Sequence, residues 1–146
     1  MIVAHPDNKT CCGGGHLLQG KYLVVCLTNG YNTIRSSEFR KATAVSGLQC
    51  LIMNYPDTNA EEERDDWFGY SRGIANDVHT LLIAKKWKRI VVHRSNGDTG
   101  HAHHKAPDRM VAKQCRKVSY EYDQRCFLER RTRSARPSLR SLSPIS

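Results

Sequence analysis

Two short stretches hold the side chains best suited to chemistry. His5-Pro6-Asp7-Asn8 lies near the amino end, and Gly100-His101-Ala102-His103-His104 comes far later in the chain. Imidazoles and a carboxylate converging from two places form a donor set for a divalent cation, zinc before others. Hydrolysis at such an ion also needs a carboxylate to take a proton and a donor to protonate the leaving group. Spacing alone is weak support, because histidine clusters are common on protein surfaces and a lone H-x-x-H pattern is not diagnostic.

The elements around these stretches decide whether they can meet. Met1–Ala4 reads as the end of a buried strand. Tyr22–Thr28 is apolar without polar alternation, as expected of a strand covered on both faces. Thr28-Asn29-Gly30 stops it. Ile34 to Val45 reads as a helix, with Ile34, Phe39, Ala42 and Val45 as a partial apolar face and Gly47 as its C-terminal cap. Cys50–Met53 is another buried strand, closed by Tyr55-Pro56-Asp57. The acidic run Glu61–Asp66 reads as an exposed loop or helix start. Ile74–Ala84 has helical spacing through Ile74, Val78, Leu81 and Leu82, and Ile90–Val92 reads as a further buried strand. Buried strands alternating with helices predict a parallel or mostly parallel sheet covered on both faces. Ligands then bind in loops after the carboxyl ends of the strands. Those loops are His5–Gly15, Thr28–Tyr31, Tyr55–Asp57 and Ser95–His104.

The 146 residues suit one domain, and 39% apolar residues are enough for a core, against wholesale disorder. The longest apolar run, Tyr22–Leu27 extended by Thr28, falls far short of the about 20 residues a membrane helix needs. The opening residues lack the pattern of a secretory signal. Six cysteines, none in a C-x-x-C pair, are expected to be reduced thiols in an intracellular protein. The net charge of +9 is concentrated late. Arg109–Ser146 holds ten Lys/Arg against three acids, and the preceding residues hold thirteen against eleven. A basic tail with few aromatics reads first as a solvated segment, and a nucleic-acid partner is not expected from it alone. Gly13-Gly14-Gly15 is followed by no Gly-Lys-Ser/Thr, which argues for close backbone packing rather than nucleotide binding.

Taken in order, the motifs resemble the LmbE-like/PIG-L family of zinc-dependent N-deacetylases. Ala4-His5-Pro6-Asp7-Asn8-Lys9-Thr10 with Gly14-Gly15 is similar to the family's A-H-P-D-D-E-T…G-G opening. Leu27-Thr28-Asn29-Gly30 is similar to its strand ending in T-D/N-G. Arg35-Ser36-Ser37-Glu38, with Ala42 and Gly47-Leu48, resembles its R-x-x-E…A…LG helix. Pro56-Asp57 resembles its P-D, and Asp98–His104 resembles its D-x-G-H-P-D-H. The likeness covers roughly residues 1 to 111.

The resemblance implies an α/β fold, a Rossmann-like three-layer sandwich with a mostly parallel sheet, shortened on its C-terminal side. It divides the chain into a deacetylase domain over 1–111 and a basic extension over 112–146. It implies an enzyme that removes acetyl from an N-acetylated amino sugar, with Zn2+ or another divalent cation as cofactor and the amino-sugar conjugate as partner. His5, Asn8 and His104 match metal-ligand positions, Asp7 the general base, and His101 the histidine that assists the intermediate or the leaving amine. Arg35 and Asp57 match substrate-binding positions. Arg35 could equally pair with Glu38 on its own helix turn, and Asp57 could equally be a turn carboxylate after Pro56. His103 stands where the family has aspartate and is expected behind the ligands or exposed. His93 is expected to be buried and hydrogen-bonded.

Asn8 stands where the family has a metal-binding aspartate, so the matched ligand set carries no charge, and Lys9 adds a positive one in place of glutamate. Thr99 replaces a residue that in some members is an aromatic hydroxyl able to polarise the carbonyl. The alternative reading is therefore a family member that keeps the fold, catalyses weakly or not at all, and serves as a binding or scaffold protein.

Overall fold

A computed structural model describes residues 1–7, 17, 21–59, 61–93 and 102–118. Its elements are β1 (Ile2–Val3), β2 (Leu23–Thr28), α1 (Thr33–Val45), β3 (Gln49–Tyr55), α2 (Ser71–Ile83) and α3 (Ala102–Lys117). The three strands form a parallel sheet in the order β1-β2-β3. Ile2 lies opposite Val25, and Val25 opposite Leu51. The register shifts between Cys26 and Thr28, so that Thr28 meets Tyr55 at the carboxyl end.

β2 is buried on both faces, as its unbroken apolar run predicts, whereas β3, the last strand of the described sheet, has only Ile52 buried and Leu51 exposed, unlike the buried strand expected over Cys50–Met53. Val24 and Cys26 pack with Val3, Phe39 and Ile52 on the α1 side. Val25 and Leu27 pack with Ile74, Val78, Leu82, Val111 and Cys115 of α2 and α3 on the other. The chain is thus an α/β protein of three layers, the Rossmann-like arrangement expected. Asn32 caps α1 by accepting from the Arg35 backbone N–H at 3.0 Å. Gly47 ends it at φ 64°, with Gly47 N–H donating to Ala44 O at 2.9 Å and Leu48 N–H to Thr43 O at 3.1 Å. These are the paired bonds of a left-handed glycine cap.

The buried face of α1 differs from the expected one. Ile34, Ala42 and Val45 are exposed, and Phe39 with Thr43 makes the contact. Thr43 can be buried because its hydroxyl donates to Phe39 O at 2.8 Å within the helix. Ile90–Val92 also departs from expectation. These residues are buried but form no extended strand; Ile2 N–H donates to Val91 O at 2.9 Å. β1 is too short to template a longer ladder, and its next donor, Ala4 N–H, goes to the His93 ring at Nε2, 3.1 Å away. α3 runs through residue 111 to Lys117, with Val111, Ala112 and Cys115 buried. Among the described residues no helix is long and apolar enough to cross a membrane.

Candidate metal centre

In a parallel sheet the residues just past each strand's carboxyl end gather along one edge. Here that edge receives His5 after β1, Asn29 after β2 and Asp57 after β3, while the first turn of α3 brings His103 and His104. Asn29 adopts φ 68°, a left-handed conformation open to asparagine. Gly30 beside it could carry no side chain, because a Cβ there would lie 2.4 Å from Asn54 Oδ1 and 2.7 Å from the Met53 carbonyl.

Three donor atoms converge at this edge. His5 Nε2 lies 3.0 Å from His103 Nδ1 and 3.2 Å from Asp57 Oδ1, and His103 Nδ1 lies 3.6 Å from that oxygen. The second Asp57 oxygen accepts from Asn29 Nδ2 at 3.2 Å. Asn29 Nδ2 also donates to Thr28 Oγ1, whose own proton goes to Ala4 O at 2.8 Å. Facing His103, His5 and Asn29 holds the Asp57 carboxyl far below the usual carboxylate range, despite the opposing cost of its burial.

Each ring has a further polar partner. His103 Nε2 meets the Asp65 carbonyl, which can only accept, so Nε2 carries the proton. Arg64 Nη1, which can only donate, lies 3.1 Å from His5 Nε2. His5 Nε2 and His103 Nδ1 are thus the ring nitrogens that face Asp57 Oδ1. Tetrahedral bonds of about 2.0–2.1 Å place neighbouring donors about 3.3–3.4 Å apart. The separations of 3.0, 3.2 and 3.6 Å bracket that spacing. The backbone bond behind His103 is the kind of support that orients a ligating imidazole. Trp67 adds to it by stacking on the ring, with centroids 4.0 Å apart and planes at 11°, while its indole N–H donates to Pro56 O at 2.7 Å. The residues fit a divalent ion.

Among the residues singled out from sequence, the structure brings His5 and Asp57 together and sets His104 beside them. The His104 ring is buried, 5.5 Å from the His5 ring centre to centre, and stacks on His93 at 4.1 Å. Asp7 is exposed, with Arg35 Nη2 3.9 Å away, and Arg35 Nη1 also donates to Glu38 at 3.2 Å. Asn8 and His101 lie outside the described residues. His103 is fully buried in the cluster and is not an exposed neighbour of it. Sequence reasoning passed over Arg64, Trp67 and the Asn29 side chain. A lone tryptophan directly after an acidic run was the available signal for a loop folded back onto a site.

An α/β sheet with imidazoles and a carboxylate clustered beyond its strand ends presents a group of side chains that could hold a metal ion. The family described as PIG-L, GlcNAc-PI de-N-acetylase, matches residues 1–115, and the chain belongs to that family. The chain is also 25% identical over 126 residues to the uncharacterized protein L374 of Acanthamoeba polyphaga mimivirus, a match covering 76% of this chain and 55% of the viral protein. It thus spans about half the length of that relative.

Proposed function

We propose that this chain is a deacetylase-type hydrolase cleaving the acetamide of an N-acetylated amino sugar, with Zn2+ or a similar divalent ion as cofactor. The carrying observation is that His5 and His103, which are 98 positions apart, bring ring nitrogens within 3.0 Å of each other beside the Asp57 carboxylate. His5 belongs to both possible ligand sets. The family resemblance completes the set with Asn8 and His104, and the geometry supports Asp57 and His103. Charge favours the second set, since Asp57 supplies the negative charge that Asn8 lacks.

The chemistry a bound ion supplies is Lewis acidity, which polarises an amide carbonyl and acidifies water. The remaining steps fall to the chain. Asp7, as a carboxylate at the rim, accepts the proton released when water attacks. His101 returns a proton to the leaving amine as the C–N bond breaks. Arg35, on the first turn of α1 beside Asp7, binds the sugar's polar groups.

The test is acetate release from N-acetylglucosamine conjugates by zinc-loaded protein. Chelation, His5→Ala and Asp7→Ala are each expected to abolish it; release that survives chelation and His5→Ala would overturn the reading. Asn8 and the position of Arg64 favour a second reading, a weakly catalytic binding protein. Stoichiometric zinc without any acetate release would select that one.

A further inference from the structure

We propose that Arg64 is a built-in competitor for the cation at the His5–Asp57–His103 cluster, so that the loop carrying it controls metal loading. The proposal rests on reading that cluster as a metal site. Arg64 Nη1 sits 3.0 Å from Asp57 Oδ1 and 3.1 Å from His5 Nε2, two of the three converging donor atoms. An imidazole nitrogen has one lone pair. It can be given to an N–H or to a metal ion, but not to both. A divalent ion bonded to His5 Nε2 therefore takes that lone pair from the guanidinium, and like charge drives the two cations further apart.

The loop is built to present this arginine. Thr58 and Arg64 pair as an isolated antiparallel bridge. Between them Asn59 Oδ1 accepts from the backbone N–H groups of Glu61 and Glu63 at 3.0 and 2.9 Å. Glu62 takes the left-handed φ of 61° that closes the turn. Asp65 N–H returns to Asp57 O at 3.1 Å, and Trp67 anchors the end of the loop against His103 and Pro56. The Arg64 side chain is nonetheless 47% exposed, so it can leave for water without unfolding anything. Seated, it neutralises Asp57 and holds the donor set together. Displaced, it gives up two charge-assisted hydrogen bonds, and metal affinity is lower by that amount.

The experiment measures zinc affinity of the full-length chain by competition with a chromophoric chelator, a readout independent of turnover. Arg64→Gln is expected to bind zinc about tenfold more tightly than the natural protein. Arg64→Lys, which keeps the charge, is expected to fall within about threefold of it. Melting of the metal-free proteins gives a second readout, since Arg64→Gln should lose stability before zinc is added and regain it afterwards. Asp57→Asn separates the two levels of argument. If Asp57→Asn weakens zinc binding while Arg64→Gln leaves it unchanged or weaker, the competitor role is overturned and the metal site stands. If Asp57→Asn leaves zinc affinity unchanged, the site reading and the proposal fall together.

Discussion

From Val24 to Leu27 each side chain is buried against hydrocarbon, alternately toward Phe39 on one face and toward Ile74 and Val78 on the other. Just past Thr28 the same sheet ends in side chains held by charge and hydrogen bonds: Asn29 on Asp57, Asp57 on His5, and Arg64 on both. In the layers, each contact is one of many and its loss is graded by volume. At the edge, each group depends on its neighbours' charge, and removing one leaves the others without compensation. The layers therefore set the stability of the protein, and the edge sets what it can bind.

The largest expected effect is on the layers. Phe39→Ala empties the main α1 contact with the sheet and should cost about 3–5 kcal/mol in urea unfolding. In whatever fraction remains folded, zinc affinity should be unchanged. Next comes Asp57→Asn, which keeps the shape and removes the charge. Zinc affinity should fall by about a hundredfold, just under 3 kcal/mol, with a much smaller change in unfolding free energy. If Phe39→Ala loosened zinc as much as Asp57→Asn did, the separation between layers and edge would be broken.

The smallest effect sharpens the contrast from the side of the layers. Burial in the α2–α3 layer pushes the Cys115 thiol up to about 11 from its ordinary 9.0. The native state then keeps a proton that the unfolded chain releases. The stability this contributes is fully present below about pH 9 and is lost as pH rises toward about 11. Tm should decline across that window, and Cys115→Ala should flatten the decline. An equally steep decline in the variant would remove Cys115 from this account.

Much of the fold could be read in advance because its determinants are local. The unbroken apolar run of β2 predicted burial on both faces, and Gly47 marked the end of α1 through the left-handed turn it supplies. Ile34 and Val45 were misleading. Periodicity shows that a helix has an apolar side but not how wide a contact the sheet offers, and this sheet reaches only Phe39 and Thr43. Ile90–Val92 carries strand composition, yet pairing needs a partner of sufficient length and β1 is two residues long. The histidine motifs pointed to the right edge of the sheet. They did not indicate that Asp57 and His103 would be the groups closing on His5.

By itself the sequence determined that this is an α/β chain with a central strand buried on both faces, and that imidazoles and carboxylates lie just past the strand ends. Hydrophobic period, turn residues and motif order are all written in neighbouring positions. Only the tertiary structure decided which donor atoms share one point, and that an arginine from an acidic loop joins them. Those choices depend on distances between residues as far apart as 5, 57, 64 and 103, which are set by layer packing and by the path of one loop rather than by any local pattern.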